Sequence, residues 1–202
     1  PAPMYNKAYY ESCDLLMGIS KQTVNINKLV LGKKANNKII DYVPHGMNPK
    51  IFHPISEDSD KYSEIQKLRK DIAREGEAKF ILFFNSRNIR RKSIPDTLLA
   101  WKYFTDQLSE EEAKSCYFIL HTDAVSEAGT DLPAVKDYLF GKDHNNVMLS
   151  TNKVTAEQLN NFYNLADAQI LLSSAEGWGL ALTEALLTGT PIIANVTGGM
   201  QD

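Results

Sequence analysis

The sequence predicts an α/β fold in which helices flank a parallel sheet. From residue 170 to residue 194, an apolar run, a glycine-rich turn, a stretch with helical spacing and a second apolar run follow one another. This strand–helix–strand order is typical of parallel sheets. Apolar runs of strand length also recur earlier in the chain and alternate with amphipathic stretches of helix length. The 202 residues suffice for one large domain, or for one domain and a piece of another.

Capping residues support several of the predicted helices. Ser20 is suited to cap the first helix, and glycines at positions 32, 76 and 189 are suited to end three of them. We expect Trp101 and Phe104 to face the core, and the strand at 192–194 to be buried. The strands are predicted at 15–19, 39–43, 80–84, 117–120, 147–149, 170–172 and 192–194. The helices are predicted at 21–31, 62–75, 96–108, 132–140, 155–165 and 180–187.

The composition excludes several classes of function. A net charge of −3 and a pI near 5.9 argue against general binding of nucleic acid or of a membrane surface. No apolar run approaches the length of about 18 residues that a membrane span needs. Cys13 and Cys116 are expected to be small buried thiols in a reducing compartment, which favours a cytoplasmic location. The histidines lack metal-ligand spacing, so no metal site is expected.

The turn before the helix at 180–187 carries the chemistry. The first amides of a helix point toward any ligand beyond the strand ends and form an anion site, which Gly177 and Gly179 allow a ligand to approach closely. Glu176 stands just before the helix, and Glu184 lies roughly 9 Å along the axis from Trp178. A ligand with a central diphosphate could offer hydroxyls to a carboxylate on either side. A nucleotide-sugar has that shape.

Each part of this turn also has a purely structural interpretation. Glu176 could simply complement the helix dipole, and Glu184 could lie at a solvated edge beside Thr183. The Gly-Trp-Gly sequence at 177–179 is similar to the start of a dinucleotide fingerprint. However, the third glycine position holds Leu182, and no acidic residue follows at the expected distance. A dehydrogenase is therefore a weak interpretation.

A cationic segment follows the predicted strand at 80–84. Residues 87–92 contain four cations in six residues, beginning with Arg87 and ending with Lys92. A run of charges usually marks a solvated face. This run, however, lies at the carboxyl end of a buried parallel strand, where open α/β sheets bind ligands. An arginine fork and a lysine point charge both suit phosphate oxygens.

The combination resembles the retaining glycosyltransferases of the GT-B fold, family-4 type (glycosyl transferases group 1). Their signature is a glutamate, seven residues and a second glutamate, and Glu176 and Glu184 have that spacing. The resemblance implies a Rossmann-like parallel sheet with flanking helices, as in the C-terminal nucleotide-sugar-binding domain. It extends through the turn at 177–180, Thr-Glu-Ala at 183–185, Gly-Thr-Pro at 189–191 and the glycines at 198–199.

The resemblance also implies roles for individual residues. Arg87 and Lys92 keep the spacing of the residues that bind the donor diphosphate. Glu176 would hold the transferred sugar and Glu184 the ribose, while the turn residues Gly177, Trp178, Gly179 and Leu180 would lie against the donor. The loop from Thr151 to Val154 is a candidate for contact with the base. Ser86 and Ser93 stand where the family has glycines, and His45 stands where it has asparagine.

The resemblance further implies the domain organisation. Residues 1–50 would be the last β-α-β piece of the N-terminal acceptor domain together with the linker. Residues 51–202 would be the nucleotide-sugar-binding domain, incomplete at its C-terminus. The chain starts without methionine and is expected to be a segment of a longer one. We therefore expect residues 1–202 alone not to transfer sugar, and an exposed sheet edge would favour self-association.

The predicted function is transfer of a sugar from a nucleotide-diphosphate donor to an acceptor hydroxyl with retention of configuration. No cofactor and no metal are expected, because Arg87, Lys92 and the helix amides can stabilise the departing diphosphate. The base, the sugar and the acceptor stay open. The alternatives are a nucleotide-sugar epimerase of the same fold, a nucleotide-binding module without transfer activity, and a plain α/β interaction domain that binds no nucleotide.

Overall fold

The computed structural model describes residues 6–73, 77–142 and 146–202, and contacts within the chain define two compact units. The first unit combines the residues up to 46 with 175–180 and 196–202. The second combines 47–174 with 181–195. Parallel strands and helices form both units, which confirms the predicted α/β class. The units interleave along the chain, so the predicted domains 1–50 and 51–202 stay a prediction.

The first unit contains a short parallel ribbon packed against a helix. Its elements are α1 (Lys7–Ser12), β1 (Leu15–Gly18), α2 (Lys21–Leu31), a 3-10 turn (Gly32–Asn37) and β2 (Ile39–Tyr42). Strands β1 and β2 pair in parallel. The Ser20 hydroxyl accepts from the Thr23 amide at 3.0 Å, and Gly32 follows α2 with φ of 54°. Both caps confirm the prediction. Helix α1 was not predicted, because its six residues are too few to show a helical period of apolar residues.

The second unit is built on a five-stranded parallel sheet in the order 5-4-3-6-7. Its strands are β3 (Phe80–Asn85), β4 (Cys116–His121), β5 (Val147–Ser150), β6 (Ala168–Leu171) and β7 (Ile192–Ala194). Its helices are α3 (Asp60–Ala73), α4 (Ile94–Thr105), α5 (Glu110–Lys114), α6 (Leu132–Phe140), α7 (Ala156–Leu165) and α8 (Leu180–Leu187). The predicted bounds of α6, α8 and β7 are confirmed.

The middle strand β3 forms the centre of this core. Ile81, Phe83 and Phe84 are fully buried, and Trp101 of α4 is 2% exposed, as predicted. Helix α4 starts two residues earlier than predicted, because Ser93 adopts a left-handed conformation that ends the preceding loop at that point. Helix α5 was not predicted, although Ser109 and Glu112 form the capping box that would have indicated it.

Three predictions of burial are wrong. Strand β7 is mostly exposed, because it lies at the edge of the sheet and pairs only with β6 within the described residues. Phe104 is 39% exposed at the end of α4, although its ring contacts Trp101 at 5.3 Å. Cys13 is exposed, since it follows α1 at the surface of the ribbon, while Cys116 is buried as predicted. The predicted helix end at Gly76 lies outside the described residues.

Both cysteines are free thiols, so no disulfide constrains the two units. No helix within residues 6–73, 77–142 and 146–202 is long and apolar enough to cross a membrane.

The buried amide of Gln169 in β6 generates a prediction about stability. Its side chain is fully buried, and neither its nitrogen nor its oxygen has a hydrogen-bond partner among the described residues. A buried polar group without partners costs free energy. Replacement by methionine, which has a similar volume, is therefore expected to raise the free energy of unfolding by about 1–3 kcal/mol. Urea denaturation measures this change.

Gln66→Met on α3 is the control for Gln169→Met, since Gln66 is partly exposed and its replacement should change the unfolding free energy little. A lower stability of Gln169→Met than of the wild type would contradict the prediction.

Candidate functional site

The predicted site residues are divided between the two units. Arg87, Lys92, Glu184 and the loop at 151–154 belong to the second unit. Glu176 and the turn at 177–180 belong to the first.

Polar residues occupy the carboxyl ends of neighbouring strands in the second unit. In the parallel register, Asn85 at the end of β3 is opposite His121 of β4, and His121 is opposite Ser150 of β5. The carboxyl ends of parallel strands form the edge at which open α/β sheets bind ligands. These three residues therefore lie at the edge where a ligand is expected.

Glu184 of α8 is held by side chains from α7 and β3. The Tyr163 hydroxyl donates to Oε2 of Glu184 at 2.6 Å, and the side-chain amide of Asn85 donates to the same oxygen at 3.4 Å. Glu184 is half-buried, and these two hydrogen bonds fix its carboxylate at the end of β3. Burial raises the pKa of Glu184, and the hydrogen bonds from Tyr163 and Asn85 oppose that rise.

Tyr163 itself has almost no freedom to move. It is fully buried, and its ring meets Phe83 edge-on at 5.2 Å and Phe52 at 6.1 Å. Its carbonyl oxygen accepts from the Thr190 hydroxyl at 2.8 Å, so the Gly-Thr-Pro segment after α8 is tied to α7. Burial, and then the charge of Glu184, raise the pKa of Tyr163 well above its usual value. The phenol therefore stays protonated and acts as a donor.

The cationic loop begins directly after Asn85. Arg87 is exposed, whereas Lys92, in a 3-10 turn (Arg90–Lys92), is only 8% exposed. The backbone amide of Ser174 donates to the carbonyl oxygen of Arg91 at 2.8 Å. This bond ties the loop to the residues that follow β6, two positions before Glu176 in the sequence.

Asn88 braces this loop against the segment that follows β4. Its side chain is 2% exposed, and its amide nitrogen donates to the carbonyl oxygens of Asp123 at 3.0 Å and of Thr130 at 2.6 Å. Its amide oxygen accepts from the Thr130 backbone at 3.0 Å. Gly129 lies against the same residue, because a Cβ there would overlap Oδ1 and the carbonyl group of Asn88. Sequence reasoning missed both Asn88 and Gly129.

Ser93 explains one departure from the resembled family. Among the described residues other than glycine, only Ser93 has a positive φ, of 48°. This left-handed region favours glycine, and the family has glycine here. The loop therefore keeps the glycine-like path at the start of α4. Ser86, the other departure, donates its backbone amide to the carbonyl oxygen of His121 at 3.3 Å.

The loop of the predicted base contacts follows Ser150, which contacts a histidine that the sequence reasoning missed. Thr151 is exposed and Val154 is half-buried in the loop after β5. His121 has Nδ1 3.0 Å from the Ser150 hydroxyl, and its ring stacks on Phe162 at 5.8 Å. Burial lowers the pKa of His121, which favours the neutral ring. The sequence could have indicated His121, because it is the polar residue that ends a buried strand.

In the first unit, glycines allow the backbone of the predicted turn to pack closely. A Cβ on Gly198 would overlap the carbonyl oxygen of Glu176, and a Cβ on Gly177 would lie 2.9 Å from Ile19. The Gly199 amide donates to the carbonyl oxygen of Gly177 at 3.0 Å. Gly179 has φ of 92° directly before α8, so a residue with a side chain would be strained there.

The remaining predicted residues of the turn differ in exposure. Glu176 and Trp178 are half-buried, and Leu180 is 45% exposed at the first position of α8. The ring of His45 lies 6.2 Å from that of Trp178, edge-on at 70°. No cluster of three or more potential metal ligands among His, Cys, Asp and Glu occurs in the part of the chain that the structure describes.

Residues 140–202 match the family model described as Glycosyl transferases group 1. The chain is 23% identical over 191 residues to the mannosylfructose-phosphate synthase of Agrobacterium fabrum (strain C58), a match that covers 95% of this chain and 39% of that protein. The family match includes Glu176, Glu184 and the motifs that follow them, and it confirms the predicted resemblance to the glycosyl transferases of group 1.

Solved structures of low sequence identity share the fold. The sucrose-phosphate synthase of Thermosynechococcus elongatus superposes with a TM-score of 0.68 at 22% identity, covering 98% of this chain and 45% of that one. An E. coli structure described as trehalose-6-phosphate bound with UDP-2-fluoro glucose gives 0.73 at 12% identity, covering 98% and 50%. These similarities show a GT-B fold. The chain spans less than half the length of the curated relative and about half or less of these two structures.

The close approach of Gly129 to Asn88 generates a prediction. Gly129→Ala would force the two loops apart, because the new methyl group would overlap the backbone of Asn88. We expect a loss of about 1–3 kcal/mol in the free energy of unfolding. Urea denaturation followed by circular dichroism measures it.

Gly46→Ala is the matched control, since a Cβ at Gly46 meets no atom within 4 Å. Equal and small effects of Gly129→Ala and Gly46→Ala would mean that the contact between the loops is not tight in solution.

Proposed function

We propose that the chain binds a nucleotide-diphosphate sugar as part of an enzyme that transfers the sugar to an acceptor hydroxyl with retention of configuration. The observation that carries the proposal is the position of Asn85. Its side chain contacts Glu184, and the loop with Arg87 and Lys92 begins at the next residue. A carboxylate suited to hydroxyl groups and cations suited to phosphates thus lie at the end of one strand.

Arg87 and Lys92 are proposed to bind the diphosphate and to stabilise the charge that builds on it as the sugar leaves. Donors that are already in place stabilise such charge more effectively than groups that must reorganise. The loop that carries both residues is fixed by Asn88 and by the bond from Ser174 to Arg91. The first amides of α8, beside Gly177, Trp178 and Gly179, are proposed to add partial positive charge. We also propose that binding needs no metal ion.

The two glutamates are proposed to bind opposite ends of the donor. Glu184 would accept hydrogen bonds from the ribose hydroxyls, and Glu176 would accept them from the hydroxyls of the transferred sugar. Thr151 and Val154 are proposed to lie near the base. The residue spacing and the family match over 140–202 support these assignments.

The similar structures support the class of donor but not its identity. The E. coli structure is bound with UDP-2-fluoro glucose, which is a nucleotide-diphosphate sugar. The transferred sugar is proposed to be a hexosyl group. The cytoplasmic location, the lack of transfer by these residues alone and their self-association stay predictions.

The first test is calorimetric titration with UDP, ADP and GDP. Arg87→Ala is expected to lower the affinity for the tightest-binding of these ligands about tenfold or more, because charge-assisted hydrogen bonds to phosphate are lost. Lys92→Ala should act in the same direction, although its burial requires a parallel check of folding. Addition of EDTA should leave the affinity unchanged.

Arg90→Ala is the control for Arg87→Ala, since it removes the same charge from an exposed position of the same loop. Its effect should be clearly smaller. An equal loss would mean that affinity follows the net charge of the loop, and wild-type affinity in Arg87→Ala and Lys92→Ala would rule out the phosphate assignment.

The second test separates the two glutamates. Glu184→Gln is expected to lower the affinities for the nucleotide and for its sugar conjugate by the same factor, about tenfold, since both contain the ribose. Glu176→Gln should mainly remove the advantage of the sugar-bearing ligand. Titrations of both variants with UDP and UDP-glucose, or with the corresponding ADP or GDP pair, give the comparison. Identical effects of the two variants on both ligands would contradict the division of roles.

A further inference from the structure

We propose that Tyr163 and Asn85 are positioning residues, which hold the carboxylate of Glu184 in the orientation that accepts hydrogen bonds from the ribose. This inference rests on the proposed function, because Glu184 is assigned to the ribose there. Tyr163 and Asn85 would act through Glu184 and need not touch the nucleotide.

The direction of each hydrogen bond in this cluster is fixed by chemistry. The Asn85 amide nitrogen can only donate, and it lies 3.0 Å from the Tyr163 hydroxyl oxygen and 3.4 Å from Oε2 of Glu184. The Tyr163 hydrogen is therefore directed to Oε2, at 2.6 Å. Hydrogen bonds donated to a carboxylate favour its ionised form, and here they oppose the effect of burial.

The second oxygen of Glu184 is the one available to a ligand. Both side-chain hydrogen bonds that Glu184 receives from the described residues end on Oε2. An ionised carboxylate has lone pairs on both oxygens, and Oε1 keeps its own for hydroxyl donors. Glu184 is also only half-buried, so solvent or a ligand reaches it.

The tyrosine is a fixed support for the carboxylate. The ring of Tyr163 is fully buried between Phe52 and Phe83, and its backbone accepts a hydrogen bond from Thr190. A glutamate side chain has several rotatable bonds, and restricting them before binding saves the entropy that a ligand would otherwise lose. Removal of the Tyr163 hydroxyl should therefore weaken only those ligands that bind the carboxylate.

The test compares a ribonucleotide with the same nucleotide lacking its ribose hydroxyls. UDP, ADP and GDP are titrated into the full chain, and the tightest is compared with its 2′,3′-dideoxy counterpart. We expect Tyr163→Phe to lower the affinity for the ribonucleotide about tenfold and the affinity for the dideoxynucleotide less than twofold. Asn85→Ala should show the same selectivity with a smaller loss, since its bond to Glu184 is longer.

Tyr117→Phe is the matched control. Tyr117 is also a buried tyrosine of the second unit, and its hydroxyl donates to the carbonyl oxygen of Ala73 at 2.9 Å. Its replacement removes the same atom and one hydrogen bond from the core. It should lower stability to a similar degree and leave the ratio of the two affinities at the wild-type value.

A readout without nucleotide comes from the pKa of Glu184, measured by NMR of ¹³C-labelled glutamate and assigned with Glu184→Gln. Loss of the Tyr163 hydroxyl removes a bond to the ionised form, so the pKa of Glu184 should rise further from its ordinary value. An unchanged pKa in Tyr163→Phe would overturn the inference. If Tyr163→Phe does not fold, Asn85→Ala provides both measurements.

The outcomes separate this inference from the proposed function. If Tyr163→Phe lowers the affinities for the ribonucleotide and the dideoxynucleotide equally, the positioning role is overturned, while nucleotide binding itself stands. Failure of the wild type to bind UDP, ADP or GDP would overturn the proposed function, and the positioning role with it. A selective loss in Tyr163→Phe that is absent from Tyr117→Phe would support both.

Discussion

The parallel pairing of β3 with β4 on one side and β6 on the other is the constraint on which the second unit depends. Parallel strands need crossover connections, so the helices cover the faces and every strand ends at the same edge. The apolar residues of β3 are therefore buried, and the first polar residue, Asn85, emerges at that edge beside His121. The parallel register therefore brings the polar residues that end these strands together at one edge.

The segments beyond the strands need supports of their own, because loop backbone carries polar groups that packing alone does not satisfy. The cationic loop obtains them from Asn88, which uses three hydrogen bonds, and from the bond between Ser174 and Arg91. Gly129 permits the close approach that these bonds require. In the proposed function, cations held in this way would bind a diphosphate without the entropy cost of ordering their loop.

The sequence was sufficient for the order of the strands and the longer helices and for the bounds of α8, because apolar periods and glycine stops are local signals. It could not show that β7 lies at the sheet edge, since strand order is set by contacts between distant residues. For the same reason it left Glu184 with two interpretations. Its partners Asn85 and Tyr163 lie 99 and 21 positions away in the chain, and no spacing rule connects them.

The environment of Glu184 reflects a balance between two opposing effects. Burial disfavours the ionised form, which raises the pKa, whereas the donors Tyr163 and Asn85 favour it. A fully exposed carboxylate would ionise more readily, but water would compete for its lone pairs and its rotamers would be free. A fully buried one would become neutral and would lose the capacity to accept on both oxygens. A half-buried carboxylate with one oxygen already satisfied avoids both limits, and its remaining oxygen is best satisfied by a ligand that brings hydroxyl donors to the strand end.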